Sequence, residues 1–501
     1  MPFSTPLFVW AFLPLVLLLY FGLRPGLRNA LLLCASLFFY AWGETFMVAV
    51  LILSCVANWA FGLWLEASTQ ERARRRVLVL GIAFNIGLLV AFKYSDWLWS
   101  VLSWLLHDAS GLRAQPLDSL GMLFGEQSNL SKLLLDKNGH IHLPIGVSFF
   151  TFQGTSYLVD IYRRDVECQR SLVDFSMYKT FFPQLIAGPI VRYRDVHEQV
   201  EKRQVRLDGF AYGVRRFVIG LGKKMLVANI VAAPCDRIFD LPAGELTTTL
   251  AWFGLVCYTL QIYFDFSAYS DMAIGMGRMF GFTFLENFEY PYSAHSVTGF
   301  WRRWHISLSS WFRDYVYIPL GGSRISSGRT YLNLVTVFFL CGLWHGASFS
   351  FVVWGLWHGA FLVLERAGLG AFLERRPAIV RHLYLLLVVM LGWVFFRAAN
   401  LTQALDYLGT LFGLHSGDTR LHQVRHFSDA EVWTAIACGC IGAAPWLPRT
   451  VAWWKSLAPN GRTRLSAALE YASLGLLALV FLDCAMKLAA GSYSPFIYFR
   501  F

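Results

Sequence analysis

The sequence predicts an all-α, polytopic integral membrane protein, and three observations support this prediction. Hydrophobic residues make up 56% of the 501 residues, and charged residues make up only 15%. A soluble protein of this length would carry about 25% charged residues. Apolar runs close to the roughly 20-residue length of a spanning helix recur along the whole chain. We therefore expect a single membrane-embedded domain over residues 1–501, without a separate soluble domain.

The candidate spans fall into two groups. Long apolar runs lie at 6–22, 46–64, 77–95, 246–263, 331–343, 349–364, 381–396 and 464–485. Shorter or more polar candidates lie at 29–43, 143–160, 173–191, 208–232 and 432–446. Their lengths predict roughly ten to twelve transmembrane helices. Because several candidates cannot cross alone, we also expect irregular segments that are buried in protein or line a wet cavity.

The charge distribution predicts the orientation of the chain. The formal net charge is +11, and the basic residues lie in short clusters between apolar runs. Arg24 and Arg28 follow the run at 6–22. Arg72 to Arg76 follow the run at 46–64, which is the third candidate in chain order. The positive-inside rule therefore places both loops in the cytoplasm and the N-terminus outside. The polar stretch 107–141 is typical of an extracytoplasmic loop. Because these clusters account for the positive charge, we expect no nucleic-acid partner.

Polar chemistry is concentrated in residues 261–358. Gln261, Asp265 and Asp271 lie within or beside an apolar helix. Ionisable groups at membrane depth are costly and usually functional. The alternative is that the two carboxylates cap or cross-link helices through hydrogen bonds, and the sequence leaves both interpretations open.

Two adjacent arginines, Arg302 and Arg303, lie between Trp301 and Trp304. Guanidinium groups bind phosphate bidentately and stack on aromatic rings, so this patch could hold the phosphates of coenzyme A or a phosphopantetheine arm. The residues alone favour the simpler interpretation, a membrane-surface helix whose arginines meet lipid headgroups.

A Gly-Leu-Trp-His-Gly block occurs twice, at 342–346 and at 355–359. An imidazole can act as a general base near neutral pH, and glycines allow a substrate to approach the backbone. Although a histidine on an apolar helix is more often a core residue, His345 and His358 are here the only histidines in a run, 331–364, without charged residues. They are therefore candidates for chemistry.

Other chemistries lack their residues. The sequence has no G-x-S-x-G nucleophile motif, and Gly222-Lys223-Lys224 does not have the spacing of a phosphate loop. His140 and His142 have no further ligand nearby at metal spacing, so we expect no metal site.

The run Phe300 to Asp314, together with Trp344-His345-Gly346, resembles the membrane-bound O-acyltransferase (MBOAT) superfamily, and within it the bacterial proteins of alginate and cellulose acetylation. Further blocks that fit the family are Phe181 to Ile190, Phe217 to Lys224, Gln261 to Asp271, Gly392 to Arg397 and Ser494 to Phe501. These blocks span nearly the whole chain in order. Ala268 and Gln184 depart from the family pattern, which leaves open which polymer the chain serves.

The resemblance implies a fold and an activity. Re-entrant or interfacial helices would surround a central tunnel, with the catalytic core at 143–364. His345 matches the histidine that the family treats as catalytic, and His305 matches a second important histidine. Acetyl would come from a cytoplasmic thioester donor, acetyl-CoA or an acyl-carrier protein, and cross the bacterial inner membrane to a periplasmic, SGNH- or esterase-like acetyltransferase. No permanently bound cofactor is implied, and the surrounding lipid is a further partner.

On this basis the catalytic residues are His345 and His305, with His345 either a general base or a covalent acetyl carrier. Substrate or donor binding is assigned to Arg302, Arg303, Trp304, Trp344, Asp265, Asp271, Gln261 and His358. Two other functions stay open. One is a proton-coupled transporter or polymer-export component that uses His345, His358 and Asp265 as a proton relay. The other is a scaffold of a secretion complex.

Overall fold

The structure is a computed structural model that describes residues 2–44, 46–110, 141–242, 244–415, 417, 421–457, 464–491 and 496. The described residues form helices and no β-strand, so the predicted all-α class is confirmed. The predicted extracytoplasmic loop lies outside the described residues over 111–140, as does most of the block Ser494 to Phe501.

Contacts divide the chain into two compact units. The first consists of 14–204 and 346–348, and the second of 2–13, 205–345 and 349–501. The prediction of one membrane-embedded domain with its core at 143–364 stays a prediction.

Nine helices are described within 13–204. They are α1 (Leu13–Gly22), α2 (Arg28–Ala41), α3 (Val48–Ala67), α4 (Glu71–Leu89), α5 (Ser95–Ser110), α6 (Val147–Arg163), α7 (Leu172–Thr180), α8 (Phe182–Leu185) and α9 (Tyr193–Glu201). A π-helical turn, Val90–Tyr94, joins α4 to α5.

Polar side chains join the helices of the first unit. Asn58 of α3 and Asn85 of α4 exchange two hydrogen bonds of 3.0 and 2.7 Å. Arg74 donates to the carbonyl oxygens of Leu65 and Ile161 at 2.9 and 3.0 Å. These carbonyls belong to the last turns of α3 and α6, where carbonyl groups depend on partners from beyond the helix. Arg74, from the predicted cytoplasmic cluster, is therefore a buried residue that caps two helices.

The helices of the second unit begin with α10 (Leu207–Gly222), α11 (Asn229–Phe239), α12 (Thr248–Met279), α13 (Val297–Trp301), α14 (Ile306–Phe312), α15 (Ser327–His345) and α16 (Phe349–Leu364). They continue with α17 (Gly370–Glu374), α18 (Ala378–Arg397), α19 (Leu401–Leu411), α20 (Ala430–Gly442), α21 (Trp446–Leu457) and α22 (Arg464–Ala489). Short π-helical turns follow α10, α14 and α16.

Glycines bring the central helices of the second unit close together. A Cβ atom on Gly213 of α10 would lie 2.5 Å from the carbonyl oxygen of Gly275 on α12. Between α15 and α16, a Cβ atom on Gly355 would lie 2.2 Å from the carbonyl oxygen of Phe338. Gly342 and Gly355, the first glycines of the two repeated blocks, therefore allow close helix packing. The sequence had suggested that these glycines make room for a substrate.

Five helices of the described chain are long and apolar enough to span a membrane, or six if one pair bent by 51° counts as a single span. They are Val48–Ala67, Glu71–Leu102, Leu207–Phe239, Ala378–Arg397 and Ala468–Ala489, and the bent pair is Ala430–Gly442 with Trp446–Trp453. The second range combines α4 with part of α5, and the third combines α10 with α11, each through its π-helical turn. The polytopic character is thereby confirmed. The count of ten to twelve spans and the central tunnel stay predictions.

Candidate active site

Three of the predicted histidines meet in the second unit through two tryptophans. The ring centroids are 6.0 Å apart between His305 and Trp344, and 4.9 Å apart between Trp344 and His345. They are 4.8 Å apart between His345 and Trp354, and 5.2 Å apart between Trp354 and His358. We call these five residues the histidine–tryptophan cluster. Its histidines come from three separate segments of the chain.

His345 is the last residue of α15 and is only 4% exposed. Besides the two tryptophans, the ring of Phe396 from α18 contacts it at 5.1 Å. The C-terminal end of a helix carries partial negative charge from carbonyl groups that lack helical partners. His345 is therefore a buried imidazole that lies where the helix dipole favours the positive charge that a general base gains in a reaction.

His305 is fully buried at the start of α14, in the left-handed conformation with φ 44° and ψ 55°. Its Nδ1 lies 3.1 Å from Oδ1 of Asn287, and the ring of Phe266 packs edge-on at 4.7 Å. His305 lies outside the helices that are long enough to span a membrane. Burial lowers the pKa of His305 to about 3, because the imidazolium would lose its hydration. The imidazole is therefore neutral at physiological pH.

His358 is fully buried on α16, and neither ring nitrogen has a hydrogen-bond partner among the described residues. Its ring packs against Trp301 and Phe300 at 5.2 and 6.3 Å. A buried polar group without a partner costs stability, so this side chain needs an explanation beyond packing. The structure thus places the third histidine beside the first two.

An aromatic wall completes the surroundings. Trp304 packs against Trp393 at 5.0 Å, and Trp393 contacts Trp354 of the cluster. The indole N–H of Trp393 donates to the hydroxyl of Tyr292 at 3.1 Å, and that hydroxyl donates to the carbonyl of Thr259 at 2.8 Å. Trp304 and Trp344, predicted to bind donor or substrate, are thus buried beside the histidines.

The two carboxylates of α12 form ion pairs. Asp265 accepts from Lys224 at 2.5 Å, and both side chains are buried. Asp271 accepts from Arg216 at 2.8 Å and from Lys223 at 2.7 Å. The partners lie on α10 and the turn after it, so both carboxylates cross-link helices. This supports the structural alternative for Asp265 and Asp271, and it weakens the proton-relay hypothesis, because Lys224 neutralises Asp265.

The two adjacent arginines have different surroundings. Arg303 donates to Oγ of Ser293 at 3.0 Å. Arg302 instead lines a cavity together with Arg366 and Arg381. The binding of one anion by Arg302 and Arg303 together stays a prediction.

Three residues show what the sequence did and did not indicate. Gln261 is 6% exposed on α12, and its Oε1 accepts no hydrogen bond from a described residue. Asn287 and Trp354 were not singled out. Trp354 precedes His358 by four residues, so helical spacing could have placed both on one face. Nothing in the sequence around Asn287 indicates its contact with His305. Elsewhere, His142 pairs with Glu44 at 2.7 Å, and His140 lies outside the described residues.

Comparison with known proteins gives one family. The model of MBOAT, the membrane-bound O-acyltransferase family, matches residues 140–401. This range contains all three histidines of the cluster and every residue assigned above to substrate or donor binding.

Among curated proteins, the chain is 38% identical to the probable alginate O-acetylase AlgI of Azotobacter vinelandii, over 100% of both chains. It is 36% identical to the peptidoglycan O-acetyltransferase of Helicobacter pylori, over 82% of this chain and 80% of that one. It is 28% identical to the teichoic acid D-alanyltransferase of Bacillus subtilis, over 42% of this chain and 55% of that one.

Proposed function

The chain belongs to the membrane-bound O-acyltransferase family, and from this premise we propose that it transfers acetyl groups for the O-acetylation of an alginate-like or cellulose-like exopolysaccharide. The enzyme class, an O-acyltransferase, follows from the family and from the named relatives. The choice of acetyl and of a polysaccharide is supported by the full-length similarity to alginate O-acetylases.

One observation carries the assignment of the active site: His345 and His305 are both buried, and both rings contact Trp344. In our proposal, His345 takes the proton of the acceptor hydroxyl, whose oxygen then attacks the thioester carbonyl. The sulfur leaves and receives the proton. His305 orients the reactants or moves a proton, and the aromatic surroundings keep water from the thioester. In an alternative course His345 carries the acetyl covalently.

The donor would be acetyl-CoA or an acyl-carrier protein on the cytoplasmic side. A periplasmic, SGNH- or esterase-like acetyltransferase would then receive the acetyl group and modify the polymer. The chain would lie in the inner membrane with its N-terminus in the periplasm. The basic clusters between apolar runs support this orientation through the positive-inside rule.

The experiment uses proteoliposomes that contain the full-length protein, labelled acetyl-CoA outside and the periplasmic partner inside. We expect label on the partner or on added polymer, with depletion of acetyl-CoA. Transport of polymer without acetyl transfer would instead establish the export alternative. Label trapped on the wild type but absent from His345→Ala would identify the covalent course, whereas no label on either would leave His345 as a general base.

The polymer itself is named by a second measurement. Mass analysis of exopolysaccharide from a deletion strain should reveal loss of acetyl groups from one polymer, and reintroducing the gene should restore them. Unchanged acetylation of every polymer would contradict the proposal.

A further inference from the structure

A cavity of about 490 Å3 lies beside α13 in the second unit, and three arginines line it. Arg302 follows α13, Arg366 lies in the turn after α16, and Arg381 lies in the first turn of α18. None of these three guanidinium groups makes an ion pair or hydrogen bond with a described residue. Of the three, Arg381 has a buried Nε atom. The cavity therefore gathers three positive charges without direct partners.

The cavity's own carboxylates do not neutralise these charges directly. Glu365 accepts hydrogen bonds from the backbone N–H groups of Val297 and Thr298 at 2.6 and 2.9 Å. Its carboxylate also accepts from the hydroxyls of Thr298 and Tyr384. Glu365 is thus occupied in holding the start of α13. Glu374 is the other acidic residue of the lining, and it is exposed.

We propose that this cavity binds a phosphate group, and that the phosphate belongs to the thioester donor. Guanidinium groups bind phosphate oxygens in pairs of charge-assisted hydrogen bonds, and a bound phosphate would relieve the repulsion between the three arginines. This inference rests on the proposed function, because it names where the donor of that reaction binds.

The position of the cavity fits a donor that reaches the histidines. Leu362 lines the cavity and lies four residues after His358 on α16, which is about 6 Å along the helix. Leu334 lines it as well and lies eleven residues before His345 on α15, about 16 Å along the helix. An extended thioester arm anchored by its phosphate could therefore follow these two helices toward the cluster.

The test measures binding of coenzyme A to the full-length protein in phosphatidylcholine nanodiscs, with pantetheine as the probe that lacks phosphate. We expect Arg366→Gln and Arg381→Gln each to weaken coenzyme A binding by about tenfold or more, without changing pantetheine binding. Arg375→Gln is the matched control, because Arg375 is exposed in the same segment and does not line the cavity. Equal affinity of the wild type and the two cavity variants would overturn the proposal.

A lipid headgroup presents the same chemistry, so a second arm uses nanodiscs with phosphatidylglycerol. Unchanged coenzyme A affinity in these discs supports the donor, whereas loss of binding assigns the cavity to the headgroup and overturns the donor assignment. If coenzyme A binds in this arginine-dependent way and no acetyl transfer occurs in the proteoliposome assay, the binding site stands and the proposed function fails.

A second inference concerns Asn287, which is 1% exposed. Its Oδ1 accepts hydrogen bonds from the backbone N–H and the hydroxyl of Ser307, at 3.2 and 2.8 Å. Because a backbone N–H can only donate, the atom that faces it must be the amide oxygen, and this fixes the orientation of the amide. The amide nitrogen then donates to Oγ of Ser270 on α12 at 3.0 Å.

This orientation determines the tautomer of His305. Nδ1 of His305 lies 3.1 Å from Oδ1 of Asn287, and an amide oxygen only accepts, so Nδ1 carries the hydrogen. The neutral ring then keeps its lone pair on Nε2. We infer that Asn287 is a positioning residue that makes Nε2 the proton-accepting atom of His305 in the proposed reaction. A backbone hydrogen bond from Ile306 to Asn287, 3.0 Å long, holds the same segment.

Among the described residues, aromatic rings make up much of the surroundings of this pair. The rings of Phe266 and Phe288 pack on His305, and Trp344 contacts both His305 and His345. Asp271 follows Ser270 on α12, but Arg216 and Lys223 pair with it. A change at position 287 should therefore act on His305 directly.

The test compares Asn287→Leu with Asn287→Asp in the acetyl-transfer assay. The leucine removes the acceptor, so we expect kcat to fall by about 100-fold or more, the size of a general acid–base contribution, with an unchanged KM for the donor. The aspartate keeps the acceptor that holds the hydrogen on Nδ1, so Asn287→Asp should retain most of the activity that Asn287→Leu loses. Equal loss of kcat in the two variants at equal membrane abundance would overturn the inference.

A readout that does not depend on activity separates this inference from the proposed function. Nitrogen-15 NMR of histidine-labelled protein, assigned with His305→Gln, should give the Nδ1-protonated tautomer for wild-type His305. The Nε2-protonated tautomer would contradict the inference, whether or not acetyl transfer is observed.

Discussion

At the scale of single residues, burial sets the protonation of His305. His305 has no exposed surface, and its pKa is lowered to about 3 from an ordinary value of 6.5. A group whose pKa is lower in the folded state stabilises the fold less as the pH falls below its unfolded pKa, because the unfolded chain binds the proton first.

This gives a pH prediction for His305. Between pH 6.5 and 5 the wild type should lose about 2 kcal/mol of unfolding free energy relative to His305→Gln, which cannot take up the proton. Thermal unfolding in detergent at several pH values measures the difference. Parallel losses in both proteins over this range would show that His305 is not the buried neutral group described above.

The residues of the candidate site could be predicted only in part from the sequence. His345 and His358 were predicted because a histidine in an apolar run without charges is conspicuous. Asn287 was missed because its role depends on a reversal of the chain that brings it to His305, eighteen positions later. Arg366 and Arg381 were missed for another reason, since arginines next to apolar runs are common in membrane proteins whether or not they bind a ligand.

At the scale of helices, the cluster depends on the close packing of α15 and α16, because these two helices carry both repeated blocks. We expect Gly355→Ala to lower the melting temperature, because its Cβ atom would collide with the carbonyl of Phe338. Overpacking of this kind costs about 1–3 kcal/mol. Activity should fall with it, since both histidines would shift.

The matched control is Gly328→Ala, in the first turn of α15. A Cβ atom there meets nothing within 4 Å, so the substitution should be neutral or stabilising. If both variants behave alike, close packing at Gly355 is not what sets the geometry of the cluster.

The ion pair between α12 and the turn after α10 gives a second prediction at this scale. Lys224→Leu or Asp265→Leu alone leaves a buried charge without its partner, which costs about 3–5 kcal/mol. The double variant removes both charges and should recover most of this loss and retain acetyl transfer. Loss of activity in a well-folded double variant would instead give Asp265 a role in the reaction.

This ion pair also explains why the length of α12 was underestimated. The sequence predicted a span at 246–263, whereas the helix continues to Met279. Polar residues beyond 263 remain helical and buried because partners from α10 and its following turn satisfy them, and such partners cannot be read from local periodicity.

At the scale of the whole molecule, composition predicts a polytopic membrane protein, and the family gives its class, an O-acyltransferase. Hydropathy predicted the class of protein but not its histidine–tryptophan cluster, because ring contacts depend on which helices pack together. The family model matches residues 140–401, which include the whole cluster.

We propose that His345 performs acetyl transfer. The most direct measurement is the acetyl content of exopolysaccharide in a deletion strain complemented with the wild type, with His345→Ala or with His415→Ala, an exposed histidine of the same unit. The account predicts full acetylation with the wild type and His415→Ala, and loss of at least about 99% of the activity with His345→Ala at equal membrane abundance. Acetylation that persists with His345→Ala would contradict it.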